Sequence, residues 1–171
     1  MSARAVYISV GSNIEPEANI PRGLQLLSRS IPLVGVSMFY RTPAIDRPEQ
    51  PDYLNGVVVL ETDRPPGRLR ELLREIEHAL GRERTGDLYA ARTLDLDILL
   101  YGDAIVSGDG LEIPDPDITA RPFLAAGLLE LAPGLRLPGA DMDLTQQIDN
   151  AAVAALAPAP ALTRELKEKL L

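Results

Sequence analysis

An α+β sandwich of the ferredoxin-like kind is what this sequence predicts, with helices packed on a largely antiparallel sheet. Three observations predict it. Apolar segments follow one another in the order β-α-β-β-α-β, the connections between them are short, and 46% hydrophobic with 25% charged residues is ordinary globular usage. One domain of common size is expected from 171 residues.

Taken in order, Val6, Ile8 and Val10 alternate with Tyr7 and Ser9, the period-two pattern of a half-buried strand, and Gly11-Ser12-Asn13 breaks it. Ile20, Leu24, Leu27 and Ile31 recur at helical spacing after a cap at Asn19, which predicts a helix over Ala18 to Ser30, with Pro21 in its first turn. Leu33 to Tyr40 reads as a second strand. Arg41 to Asp52, with three prolines, reads as a loop of the kind that carries function. The unbroken Gly56-Val57-Val58-Val59-Leu60 marks Tyr53 to Thr62 as a buried central strand. Pro65-Pro66 opens a second helix whose apolar face is Leu69, Leu72, Leu73, Ile76 and Leu80, and Gly81 stops it. Leu94 to Tyr101 is the next strand, Ala104 to Ile113 a short hairpin, and a third helix starting near Thr119 carries Phe123, Leu124, Leu128 and Leu129. The helices are expected on one sheet face, leaving the other for ligands. Leu144 to Leu156 reads as a helix. The main domain is expected over residues 1–156, with 157–171 a linker, Ala157-Pro158-Ala159-Pro160, and a short helix packed on the domain.

Composition excludes several function classes. A net charge of −8 argues against a general grip on nucleic acid. The absence of cysteine removes disulfides, thiolate catalysis and Cys-based metal sites. His78 is the only histidine, so no two-imidazole site exists, and its place on the polar side of the second helix gives it no role. No apolar run is long enough for a signal or membrane segment, so no membrane partner and a cytoplasmic location are expected. Gly-Lys-Ser/Thr is missing, and Gly11-Ser12-Asn13 falls short of a dinucleotide fingerprint.

The chemistry therefore rests on carboxylates, arginines and backbone. In Arg92-Thr93-Leu94-Asp95-Leu96-Asp97-Ile98-Leu99-Leu100, strand alternation puts Asp95 and Asp97 on one face and Leu94, Leu96 and Ile98 on the other. Paired hard oxygen ligands suit Mg²⁺, which fills its shell with water and substrate phosphates, a solvated polar face on an amphipathic strand being the alternative. Arg82, Arg84 and Arg92 lie just upstream and Arg121 stands beside Phe123. Guanidinium forks recognise phosphate oxygens in this way. Surface ion pairs with Glu83 and Asp87 remain the plain alternative for Arg82 and Arg84. Glu77 borders the apolar stripe and is a candidate nucleotide contact, an ordinary boundary residue being the alternative.

Four blocks in order and spacing resemble the 6-hydroxymethyl-7,8-dihydropterin pyrophosphokinase family: Gly11-Ser12-Asn13; Phe39-Tyr40-Arg41-Thr42-Pro43; Gln50-Pro51-Asp52-Tyr53-Leu54-Asn55 running to Leu60-Glu61-Thr62; and Arg92 through Gly102. The likeness covers roughly Val6 to Pro138. It implies transfer of pyrophosphate from ATP to the hydroxymethyl group of 6-hydroxymethyl-7,8-dihydropterin, releasing AMP. By the same resemblance Asp95 and Asp97 would hold two Mg²⁺ ions, and Arg82 and Arg92 would stabilise charge during transfer. Thr42, Pro43, Ile45, Tyr53, Asn55 and Phe123 would form the pterin pocket, and Glu77, Arg84, Arg92, Ile98 and Arg121 would bind ATP. A monomer is favoured. The chain departs from the family pattern on the nucleotide side, with Tyr89-Ala90-Ala91 for Trp-Gly-Pro, Asp115 where a histidine is usual, and Leu88, Gly110 and Glu112 where basic or hydroxyl residues are common. A pterin- or nucleotide-binding homologue without turnover, and a regulatory module assembling through its sheet face, are the competing readings.

Overall fold

A computed structural model describes residues 2–171. Its centre is an antiparallel sheet of β1 (Arg4–Ser12), β2 (Leu33–Val36), β3 (Tyr40–Thr42), β4 (Tyr53–Thr62), β5 (Asp95–Tyr101) and a short C-terminal strand, Ala157–Pro158. The strand order is β5-β1-β4-β3, followed by the C-terminal strand, with β2 also paired to β4. A separate hairpin pairs β6 (Val106–Gly108) with β7 (Leu111–Ile113), so the C-terminal strand is β8. The antiparallel sheet is the one expected, because β1 and β4 are apolar enough to lie at its middle.

Helix α1 (Pro16–Ser30) begins two residues earlier than its periodicity suggests, behind Glu15 in a left-handed conformation. Asn19 is not its cap. It lies inside the first turns, buried, and donates to the Ile14 carbonyl at 2.7 Å. The expected strand over Leu33 to Tyr40 divides into β2 and β3, because Ser37, Met38 and Phe39 make other bonds. The Ser37 hydroxyl accepts from Val57 N–H, Met38 N–H donates to Glu130, and Phe39 N–H donates to the Thr163 hydroxyl at 2.9 Å. Helix α2 (Pro66–Ala79) ends before Gly81, whose φ of +83° favours glycine.

The sheet is covered on both faces. On one, α1, α2 and a C-terminal helix (Pro160–Leu170) enclose Val6, Ile8, Leu24, Leu60, Leu73, Leu96 and Ile98. On the other, Val57, Leu99 and Leu100 pack with Ile118, Leu124, Leu128 and Leu144, from a 3-10 turn at Pro116–Ile118, α3 (Pro122–Leu131) and α4 (Leu144–Gln147). Only the rest of this second face is open to ligands, since apolar residues at 57, 99 and 100 need a cover of their own. The third helix starts at Pro122 rather than Thr119. The helix expected over Leu144 to Leu156 is two short ones, α4 and α5 (Asn150–Ala154), separated by the extended backbone of Ile148.

Ala157–Pro158, read from sequence as linker, is β8 on the edge of β3, and Ala159 N–H donates to Phe39 at 2.7 Å. The helix that follows is α6, and its Leu162 and Leu166 are buried in the first core. Among the described residues no helix is long and apolar enough to cross a membrane.

Candidate active site

The open part of the second face is floored by β1, β4 and β5. Asp95 pairs with Gly11 and Asp97 with Ser9, so both carboxylates rise from the edge strand on the face away from Leu96 and Ile98. Each of these residues lines one of two cavities. The first, of about 150 Å³, is lined by Thr42, Pro43, Ala44, Ile45, Gln50, Tyr53, Asn55, Leu88, Tyr89, Arg92, Asp95, Arg121 and Phe123. The second, of about 260 Å³, lies between α2, β5 and the β6–β7 hairpin and includes Arg74, Arg84, Asp97, Ile98, Glu112 and Asp115. Asp95 thus belongs to one cavity and Asp97 to the other.

All six residues expected to form the pterin pocket come together in the first cavity, as do Arg92 and Arg121. The sheet register does this: Thr42 stands opposite Tyr53 and Tyr40 opposite Asn55. The Asn55 amide donates to the Thr42 hydroxyl at 2.7 Å, which fixes two polar groups at the cavity wall. Gly11 makes room for that amide, since a Cβ there would lie 2.5 Å from Asn55 Oδ1. Tyr53 and Phe123 supply two of the chain's seven aromatic rings.

The charged groups are interlocked. Arg82 donates to Asp95 Oδ1 at 2.8 Å, and Arg92 donates to Asp95 Oδ2 at 2.7 Å. Burial alone pushes the Arg92 guanidinium down, but Asp95 overrides it and holds the proton more firmly than usual. Glu77, expected at the nucleotide, is only 2% exposed and faces β5 from beneath the arginines. Its Oε1 accepts from Leu96 N–H and Arg82, each at 2.8 Å, and its Oε2 accepts from Arg84 at 2.8 Å. Both oxygens are engaged by protein donors, which ties Glu77 to β5 and to Arg82 and Arg84. Burial raises its pKa, opposed by the Leu96 amide and Arg82.

Asp97 is different. Solvent reaches it at the cleft floor, its carboxylate has no ion-pair or hydrogen-bond partner among the described residues, and protein surrounds it closely. That crowding, then Asp95, Glu77 and Asp115, push its pKa up to about 7 against the pull of Arg82. An unpartnered carboxylate among other acids, beside a second held only by exchangeable arginines, is a donor set that fits a hard divalent cation. Among the described residues no group of three or more acidic or histidine side chains forms a closed metal cage.

Of the other expected nucleotide residues, Arg84 and Ile98 line the second cavity, Ile98 with its side chain in the core. Arg121 stands instead on the first, paired with Asp117 at 3.3 Å. Asp115 also lines the second cavity, where it caps the 3-10 turn by accepting from Asp117 N–H, and burial raises its pKa.

The sequence gives no role to Asn13, Gln50 or Arg47, and Asp87, the alternative ion-pair partner for Arg82 and Arg84, pairs with Arg47 instead. Asn13 donates to Gln50 and accepts from Arg92 N–H, and Gln50 donates to the Tyr89 carbonyl. Arg47 grips Asp87 with bonds of 2.9 and 2.8 Å. These bonds tie the 43–52 loop to the 81–92 loop over the first cavity. Asn13 and Gln50 already stood in two of the quoted blocks, whereas nothing local marks Arg47 as the partner of Asp87. Arg70 and Arg74 were also missed, although their four-residue spacing on the polar side of α2, with Glu77 three further on, is a signal. Thr93 Oγ1 is buried without a partner.

Residues 7–133 match the profile of the 7,8-dihydro-6-hydroxymethylpterin-pyrophosphokinase (HPPK) family. The chain is 38% identical over 139 residues to a 2-amino-4-hydroxy-6-hydroxymethyldihydropteridine pyrophosphokinase of Haemophilus influenzae, covering 80% of this chain and 86% of that one. It is 40% identical over 137 residues to the protein of that name from Pseudomonas aeruginosa, covering 78% and 83%. Among solved structures, an HPPK-DHPS in complex with substrates superposes with a TM-score of 0.68 at 12% identity, over 90% of this chain and 44% of that one. Plasmodium falciparum HPPK-DHPS with pteroate gives 0.69 at 13%, over 89% and 43%. The chain therefore spans less than half of those two proteins, and the likeness to them is one of fold.

Proposed function

Because the chain belongs to the 7,8-dihydro-6-hydroxymethylpterin-pyrophosphokinase family, we propose that it transfers pyrophosphate from ATP to the hydroxymethyl group of 6-hydroxymethyl-7,8-dihydropterin and releases AMP, a step of folate synthesis. The observation that carries this reading is that Asp95 and Asp97, two residues apart on β5, line two different cavities, one with aromatic and amide groups beside Arg92, Asp95 and Arg121, the other with Arg70, Arg74, Arg84, Asp97, Glu112 and Asp115.

In this reading the pterin lies between Tyr53 and Phe123, with the Asn55 amide and the backbone of Thr42, Pro43 and Ile45 meeting its polar edge. An aromatic sandwich with a few fixed polar groups suits a flat heterocycle. The hydroxymethyl oxygen then points toward Asp95. ATP occupies the second cavity, its phosphates beside Arg84, Arg82 and Arg92, with Arg121 reaching them from the pterin side. The substrate oxygen bonds to the β-phosphorus as the bond from that phosphorus to the oxygen of the α-phosphate breaks.

The protein's task is positioning and charge stabilisation. Arg82 and Arg92 are held at Asp95, and an entering polyphosphate competes with Asp95 for the same guanidinium forks. Glu77 keeps Arg82 and Arg84 pointed into the cleft. Asp95 and Asp97 are the residues that would hold two Mg²⁺ ions, whose charge would neutralise the triphosphate. Residues 1–156 carry every residue of this reading and 157–171 support the sheet from outside the site. One chain carries both cavities, and we assign it as a monomer acting in the cytoplasm, where ATP is at hand.

The test incubates the purified protein with ATP, Mg²⁺ and the hydroxymethylpterin and follows AMP. AMP that needs both pterin and metal is expected. ATP hydrolysis without pterin, or no AMP from folded protein, would refute the assignment.

A further inference from the structure

Helix α2 turns Arg70 and Arg74, four residues apart, toward the second cavity, and Arg84 continues the row. Like charges at this spacing repel. The three cations differ in what holds them. Arg84 is bound to Glu77 at 2.8 Å. Arg70 is a strut: it donates to the Asp109 carbonyl at 2.7 Å and its Nη2 lies 3.3 Å from where a Cβ on Gly110 would stand, bracing α2 against the β6–β7 turn. Arg74 has no carboxylate within 4.0 Å and donates no hydrogen bond among the described residues. Partial desolvation, then Arg70 and Arg84, lower its pKa.

The chain carries 25 carboxylates, yet none is spent on this guanidinium, which faces a cavity with a cation on either side. The opposite wall brings Asp97, Glu112 and Asp115. Where no cation sits on it, that wall repels a polyphosphate, and the cations facing it across this cavity are Arg70 and Arg74 of α2 and Arg84 just beyond it.

We propose that Arg74 binds the phosphate group that stays with the departing AMP and offsets the repulsion from Asp115 across the cleft. The inference rests on the second cavity being the nucleotide's. Arg82 and Arg92 stand at Asp95, beside the group in transfer, whereas Arg74 lines the second cavity away from that pair. As the β-phosphorus to oxygen bond breaks, its electron pair passes to the oxygen left on AMP, the hydroxymethyl oxygen takes its place on phosphorus, and the hydroxymethyl proton goes to water. Of the three cations lining this cavity, Arg70 and Arg84 are already engaged, and Arg74 is free to meet that charge with a bidentate fork.

Calorimetric titration with Mg²⁺ and α,β-methylene-ATP, which cannot undergo transfer, tests it. Arg74→Ala is expected to weaken the analogue about tenfold or more, and inorganic tripolyphosphate likewise, while leaving adenosine unaffected. Arg74→Lys should retain part of the binding. Arg68→Ala, an exposed change on the same helix, is expected to stay within about twofold. Asp115→Asn should tighten the analogue and recover part of the loss in the Arg74→Ala background. Pterin binding, read by pterin fluorescence, should be unchanged in all of them. Equal binding by the Arg74→Ala and Arg68→Ala variants overturns the inference, and if wild-type protein still makes AMP the proposed function survives it. Arg74-dependent binding without AMP from wild-type protein supports the inference and overturns the function. If wild-type protein binds no analogue, both fall.

Discussion

The first cavity is walled by groups whose bonds are already made within the protein, Asn55 to Thr42 and Gln50 to Tyr89, whereas the second holds charges left facing one another across open space. A neutral heterocycle needs shape and a few fixed donors, and the strand register of β3 and β4 provides them without cost in charge. A polyphosphate needs cations, and a fold cannot gather arginines and carboxylates in one cleft without their pairing. In the proposed reading Asp95 and Arg92, at the charged end of the first cavity, and Arg82 beside them stay paired until a polyphosphate competes, while the buried Glu77 holds Arg82 and Arg84. One side of the site is preorganised by hydrogen bonds. The other is preorganised by ion pairs that must exchange.

The largest effect expected from breaking this contrast is at the two β5 carboxylates. Asp97→Ala and Asp95→Ala should each lower AMP formation by on the order of 10³-fold or more while pterin still binds, as read by steady-state kinetics beside pterin fluorescence. Full activity in either variant would remove the carboxylates from the reaction. Arg82→Ala comes next, with kcat falling by about 10²-fold to 10³-fold and the pterin KM little changed. A change confined to KM would instead make Arg82 a residue of ground-state binding.

Phe123→Ala tests the pterin side: the pterin KM should rise about tenfold and nucleotide-analogue affinity should hold. Equal losses for both ligands would show that the cavities are not separable. The smallest effect concerns pH without metal. Folded Asp97 keeps its proton up to about 7, whereas an ordinary aspartate loses it near 3.8, so the folded state binds the extra proton between those values. Stability in chelator should therefore fall as pH rises through that window. Glu77 and Asp115, also raised, add in the same direction. Melting temperatures at pH 5 and 8 should show it, and Asp97→Asn should flatten the slope. An unchanged slope in that variant would assign the effect elsewhere.

What the sequence by itself determined is what depends on local spacing. The alternation over Val6 to Val10, the unbroken Val57-Val58-Val59 and the apolar face of α2 place the strands and helices, because side-chain period is set by backbone geometry within a few residues. The same rule put Asp95 and Asp97 on one face, and the quoted blocks carried Thr42, Pro43, Gln50, Tyr53, Asn55, Arg92 and Asp95 of the first cavity. The tertiary structure decided what depends on partners far apart in the chain. Thr163, distant in sequence, takes the Phe39 amide and helps divide β2 from β3, and β8 becomes a strand only because the edge of β3 is there to pair with it. Glu77 gave the same local signal as a solvent-facing boundary residue, yet Leu96, Arg82 and Arg84 converge on it from β5 and the following loop and take both its oxygens. Arg74 is its converse, a guanidinium whose significance lies in the absence of a partner. Pairing is a property of three-dimensional distance, so which charges were spent and which were left for a ligand became visible only in the folded chain.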